Sequence, residues 1–177
     1  MKLVSRASLG VALALGMIAT GVATPAFAKK KEPAAPSQPT PQLSKEFRAA
    51  IGAAQLAAKA GNAADTAAKL AIAEPFALQP DEKFYLGVVR YDLSKLGKDN
   101  VMGRKAINEM IASNSKLITN GAELNFVSGT LAYSAGDYPD SIAKFTEADR
   151  QGSKNIDRLL MLAEANFKVG QVPQGLA

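Results

Sequence analysis

Residues 125–148 read NFVSGTLAYSAGDYPDSIAKFTEA. The spacing of apolar residues predicts two short amphipathic helices, and the pair Gly136-Asp137 predicts the turn that joins them. Small residues, Gly129 and Ser141, lie where two helices could cross closely. The space around that crossing would be filled by three aromatic side chains: Tyr133, Tyr138 and Phe145.

This stretch resembles the tetratricopeptide repeat, a 34-residue helix–turn–helix unit with a glycine at the turn between its helices. The positions that match the motif are Gly129, Gly136, Tyr138, Ser141, Phe145 and Ala148. The tryptophan of the motif is missing, and Ser141 stands where alanine is usual. The resemblance implies an all-α protein, a right-handed α-solenoid of antiparallel helix pairs with about three and a half repeats.

The same pattern recurs further along the chain. A step of 34 residues leads from Gly129 to Ala163 and from Gly136 to Gly170. Residues 159–170 therefore predict another first helix in register, with Phe167 at the position of Tyr133. Two units in phase indicate a helical repeat far better than one motif does.

The predicted repeat domain covers residues 44–177, with units at about 44–80, 81–118, 122–155 and an incomplete 156–177. Ser44 is the expected N-cap of the first helix. Turn glycines are expected at positions 61, 97, 136 and 170. The inner face of the second helix is predicted to be Ala67, Leu70, Ala71 and Ala73.

The second unit begins at Pro80-Asp81, where Asp81 could cap the helix. The run Phe84-Tyr-Leu-Gly87 resembles the start of the repeat motif and makes Gly87 a packing residue. Its partner helix, around residues 106–111, comes about seven residues later than the motif requires. The extra residues predict either a longer loop or an additional helical turn.

The N-terminus has the pattern of a signal peptide over residues 1–28. Lys2 and Arg6 supply positive charge, residues 9–19 are apolar, and residues 24–28 form a small-residue cleavage site. A retained membrane anchor is the alternative, although the apolar run is short for a membrane span. We expect export to a bacterial periplasm, with no stable membrane insertion after cleavage. Residues 29–43, rich in lysine and proline, predict a disordered linker.

Composition excludes several kinds of chemistry. The chain has no cysteine, histidine or tryptophan, so no thiol nucleophile, imidazole base or soft metal ligand is present. Two Ser-x-x-Lys tetrads, at residues 113–116 and 141–144, lack the companion motifs of Ser–Lys acyl enzymes. No glycine-rich phosphate loop or calcium loop occurs. We expect a protein without cofactor, metal or catalytic site.

The net charge argues against nucleic acid as a partner. The value of +5 falls to +3 when Lys2 and Arg6 leave with the signal peptide, and no basic stripe is interleaved with aromatic residues. The chain also ends within a predicted unit. We expect either a fragment of a longer protein or a partner that covers this end. The oligomeric state is left open.

The expected role is a non-catalytic scaffold or adaptor that binds a protein or peptide. In the family that the chain resembles, first helices line a concave face that holds the partner. The matching positions are Arg48, Ile51, Gln55, Asp81, Phe84, Val88, Glu123, Phe126, Thr130, Tyr133, Asp157, Leu160 and Glu164, with Ala163 and Gly170 as further packing residues. Acidic residues recur once per unit, at Asp81, Glu123 and Asp157, which would favour a basic partner or would stabilise helix dipoles. The alternatives are a repeat segment of a larger envelope enzyme or secretion component, and a cell-wall glycan binder.

Overall fold

The computed structural model describes residues 39–171 and residue 175. The predicted signal peptide and most of the predicted linker lie outside the described residues. The described part is all-helical and contains no strand, as the sequence predicts. Its α-helices are α1 (Lys45–Lys59), α2 (Ala63–Ala73), α3 (Pro80–Gly97), α4 (Asn100–Ala112), α5 (Gly121–Ser134), α6 (Tyr138–Arg150) and α7 (Asp157–Lys168), with a 3₁₀ turn at Glu74–Phe76 after α2.

The same turn follows each of the helices α1, α3, α5 and α7. One residue has a left-handed conformation, and the next N–H donates to the carbonyl five residues earlier, as in a Schellman motif. The left-handed residues are Gly61, Lys98, Gly136 and Gly170. The corresponding hydrogen bonds run from Asn62 to Ala57, Asp99 to Ser94, Asp137 to Ala132 and Gln171 to Asn166.

In the turn between α3 and α4, the left-handed residue is not the predicted one. Gly97 is the last residue of α3, and Lys98 holds the left-handed conformation with a φ of 53°. Only residues 98 and 99 separate α3 from α4, which begins at Asn100. The first helix of this unit is the longer one, since α3 has 18 residues against 14 in α5, whereas α4 and α6 both have 13.

Side-chain caps start the second helices directly after the turns. The side chains of Asn62, Asp99 and Asp137 each accept a hydrogen bond from the backbone N–H three residues later. Such a bond satisfies one of the free donors at a helix N-terminus and stabilises the helix by about 1 kcal/mol. Ser44 caps α1 in the same way, as predicted, and accepts from Phe47 N–H.

Close helix crossings use the predicted glycines. A Cβ atom added to Gly129 would lie 2.8 Å from the ring of Phe145, and one added to Gly87 would lie 2.6 Å from the Met110 side chain. Ser141, Phe145 and Ala148 are fully buried, as the repeat resemblance implies. Tyr138 and Ala163 are half-buried.

The predicted inner face of α2 was wrong in part. Ala67 and Ala71 are exposed, whereas Leu70 and Ala73 are buried as expected. Thr66 completes the buried face, and its hydroxyl donates to the Asn62 carbonyl at 2.7 Å. The apolar pattern did not include Thr66 because threonine is polar. Its side chain can be buried because its hydroxyl is hydrogen-bonded to the backbone four residues earlier.

Three apolar clusters follow one another in chain order. The first joins α1, α2 and α3, with Phe47, Leu70 and Val89 among its members. The second joins residues of α3, α4 and α5 around Ile107 and Met110. The third joins α5, α6 and α7 around Phe145. Since α3 and α5 each belong to two clusters, they connect successive helix pairs.

Candidate partner-binding surface

The predicted groove residues of α3 lie between two apolar clusters. Phe84 packs against both the first and the second cluster, and Val88 packs against the second. Both side chains are half-buried, so each keeps some surface that a partner could contact. Their rotamers are constrained by the core beneath them, which lowers the entropy lost on binding.

The predicted groove residues of α5 divide into core and surface. Phe126 is only 8% exposed, and its ring lies 5.9 Å from that of Phe145, so it contributes to the core. Thr130 is half-buried, and its hydroxyl donates to the Phe126 carbonyl. Glu123 is also half-buried, at the first turn of α5.

Tyr133 is held in place by a neighbouring aromatic ring. Its ring meets that of Tyr138 edge to face, with 5.5 Å between the ring centres. Desolvation, with a further contribution from the Glu164 carboxylate, raises the pKa of Tyr133 to about 12. The phenol is therefore neutral at physiological pH.

The predicted groove residues of α7 are the most accessible. Asp157, Leu160 and Glu164 are all exposed, and Leu160 has 71% of its surface in contact with solvent.

Asp81 does not contribute to an acidic surface. It is buried, and its carboxylate accepts hydrogen bonds from the Ser115 hydroxyl at 2.6 Å and from Gln42 N–H at 2.8 Å. It is also not the cap of α3, since the N-cap is Gln79. Of the three carboxylates that recur once per unit, Glu123 and Asp157 remain on the surface.

Arginine–carboxylate bridges connect successive helix pairs, and sequence reasoning missed them. Arg90 on α3 binds Glu74, which follows α2, and Glu109 on α4. Arg104 on α4 binds Asp137 and Asp140 at the start of α6, at 2.6 and 2.7 Å. Arg158 on α7 binds Asp149 on α6. The hydrogen bond from Arg104 lowers the pKa of Asp137.

These bridges had no recognisable sequence pattern. Except for the pair Arg90–Glu109, which lies within one helix pair, they join neighbouring pairs across sequence separations of 9 to 36 residues. Local spacing rules detect only partners three or four residues apart on one helix. Arginines that are largely buried could have been suspected only from an accurate prediction of each buried face.

The serines of both Ser-x-x-Lys tetrads take part in packing. The Ser113 hydroxyl donates to the Met110 carbonyl at 2.6 Å, and Ser141 is buried at the crossing of α5 and α6. Across the described residues, no group of three or more acidic side chains could hold a metal ion. None of the helices in the described part is both long enough and apolar enough to cross a membrane.

Comparison with known proteins adds no family. No protein-family model matches the sequence, and no curated protein matches it either.

Proposed function

We propose that this protein is a non-catalytic adaptor that binds a protein or peptide segment along the first helices of a tetratricopeptide-like, right-handed solenoid. The observation that carries the proposal is that a Schellman turn and a side-chain cap join α1 to α2, α3 to α4 and α5 to α6 in the same way. A repeated turn imposes a similar angle on each helix pair, and similar pairs that stack in order form an extended binding surface.

The surface chemistry favours a polypeptide ligand. Phe84 and Val88 on α3 and Tyr133 on α5 offer partly buried apolar area, while Thr130 and Glu123 add half-buried polar side chains on α5. A mixture of apolar anchors and few polar groups suits a peptide that carries both side chains and backbone hydrogen-bonding groups.

Export to the periplasm belongs to the same proposal. It is supported by the positive, apolar and small-residue segments of residues 1–28. The intact mass of the protein isolated from its native cells tests it, because cleavage after Ala28 leaves a chain that begins at Lys29. A mass that includes residues 1–28 would contradict export with cleavage.

Site-specific photo-crosslinking in the native cells tests the binding role. We expect a photoreactive residue at Val88 or Thr130 to yield the same protein adduct. Matched positions on the second helices, Ile72 and Val101, are 62% and 79% exposed and should give none. Equal labelling from all four positions, or retention on cell-wall sacculi without any protein adduct, would contradict the proposal.

A further inference from the structure

A pocket of about 320 Å³ lies between the end of α2, the first half of α3 and the end of α4. Its lining includes three apolar residues, Ala77, Leu86 and Ala112. The space between the helices stays open because two of these residues are alanines with short side chains. The volume is at the lower end of the range that small-molecule sites in proteins occupy.

The pocket is on a different side of α3 from the proposed groove. Successive helical residues are rotated by about 100°, so Leu86 lies about 160° around α3 from both Phe84 and Val88. A ligand in the pocket would therefore not occupy the surface on which a partner segment would lie.

One end of the pocket is acidic. The Arg90 guanidinium binds the carboxylates of both Glu74 and Glu109, so the three groups together carry one net negative charge. Lys105 lies 3.9 Å from Glu109, but its side chain is 71% exposed, and solvent screens such a pair. The Glu74 and Glu109 side chains are 62% and 34% exposed, so a ligand can reach their oxygen atoms. Glu109 also lies in the last turn of α4, where the helix dipole favours a cation.

The other end of the pocket is basic. Lys83 lines it and lies two turns before Arg90 on the same side of α3, about 10 Å away along the helix axis. Lys83 is exposed, and it takes part in none of the salt bridges within the described part of the chain. Its ammonium can therefore pair with a carboxylate of a ligand.

We propose that this pocket binds a short peptide of about three residues with free termini. The ammonium of the peptide would pair with Glu74 and Glu109, and its carboxylate would pair with Lys83. Three extended residues span about 10 Å, which matches the separation of the two charged ends, whereas a single amino acid is too short to reach both. Small side chains such as that of alanine would contact the apolar residues between the ends.

Blocked peptides test whether both termini are recognised. In isothermal titration calorimetry at pH 7, we expect trialanine to bind the purified protein with a Kd below about 1 mM. Acetylation of its N-terminus or amidation of its C-terminus should each weaken binding at least about tenfold, because each removes one charge. No detectable binding of trialanine at about 10 mM, or equal binding of the blocked peptides, would overturn the proposal.

Two variants at exposed positions test the location of the site. Lys83→Ala removes the cation, and Ala112→Phe fills the pocket without changing a charge, so each should weaken trialanine binding at least about tenfold. Lys59→Ala, at an exposed lysine of α1, is the matched control and should bind trialanine like the wild type. Wild-type affinity in both pocket variants would place the peptide elsewhere and overturn the proposal.

The pocket and the groove can be tested separately. Lys83→Ala should leave photo-crosslinking from Val88 and Thr130 unchanged, because Lys83 does not belong to the groove. Loss of those crosslinks in Lys83→Ala would contradict the separation of the two sites.

Discussion

Glu82 is a buried carboxylate that connects two helix N-termini. It is 1% exposed, and its oxygens accept N–H bonds from Ser44 at 2.8 Å, Leu78 at 3.0 Å and Gln79 at 2.9 Å. Burial alone raises its pKa, but the hydrogen bonds from the backbone and from Ser44 outweigh burial, and the net pKa lies below the ordinary value of 4.5. The ionised carboxylate therefore stabilises the junction of α1 and α3.

We predict that Glu82→Gln lowers the free energy of unfolding by about 1–3 kcal/mol at pH 7, because a buried carboxylate that accepts three N–H bonds is replaced. A depressed native pKa gives stability that is present above about 4.5 and is lost as the pH falls. Denaturant unfolding of both proteins from pH 7 to pH 3 should show the difference shrinking below pH 4.5. A difference that is independent of pH would contradict the role of the ionised form.

Helices α5 and α6 cross closely at Gly129, where the Phe145 ring lies against the backbone of α5. Gly129→Leu should destabilise the protein by about 1–3 kcal/mol or more, because the Phe145 ring occupies the space that the new side chain needs. Gly52→Ala is the matched control, since its Cβ enters open space and alanine favours the helix. Thermal unfolding measures both. An unchanged melting temperature for Gly129→Leu would mean that the register of this crossing is wrong.

At the scale of elements, the contact between α6 and α7 includes one buried cation beside its apolar cluster. Arg158 is 5% exposed and pairs with Asp149, while its Nε atom is buried without a hydrogen-bond partner. An unpaired buried charge costs more than an apolar replacement of similar shape.

We therefore predict unequal effects for the two partners of this bridge. Asp149→Ala should cost about 1–3 kcal/mol, because it leaves the Arg158 charge without its carboxylate. Arg158→Met should cost less, since it keeps the packing and removes the charge. Urea unfolding of the two variants gives the comparison. Equal losses would indicate that the ion pair itself, rather than burial of the charge, determines stability.

Helix existence was predictable from the sequence, but local conformation was less so. The Gly136 turn was correct because glycine readily adopts the left-handed conformation that the turn requires. In the turn after α3, the same preference for glycine predicted Gly97 as the left-handed residue, but the residue with a positive φ, 53°, is Lys98. The backbone accepts lysine there because the turn is fixed by the hydrogen bonds on either side of it.

Surface positions were the hardest to predict. The positions taken from the repeat motif lie on helices, as expected, yet Ile51, Asp81 and Phe126 are buried rather than on the surface. A periodic pattern identifies the side of a helix that packs on its own partner. It does not show which neighbouring element covers the remaining sides, as α6 covers Phe126 and the residues around Ser115 cover Asp81.

At the scale of the molecule, stability is distributed along the chain. The three apolar clusters each involve consecutive helices, and arginine bridges join neighbouring pairs at three places. Contacts between consecutive helix pairs are what the proposed repeat array requires. The proposed binding groove depends on this arrangement.

The central claim, that helix pairs stack in chain order, is tested most directly by native-state hydrogen exchange at low protein concentration. Among the described helices, α7 packs on α5 and α6, whereas α3 packs on α1, α2 and α4, so α7 should open at a lower free energy than α3. We predict that amides of α7 exchange through local opening, while those of α3 and α5 exchange only with the largest opening free energies. A single opening free energy shared by α3, α5 and α7 would show that the described helices unfold as one cooperative core, and it would contradict the stacked arrangement.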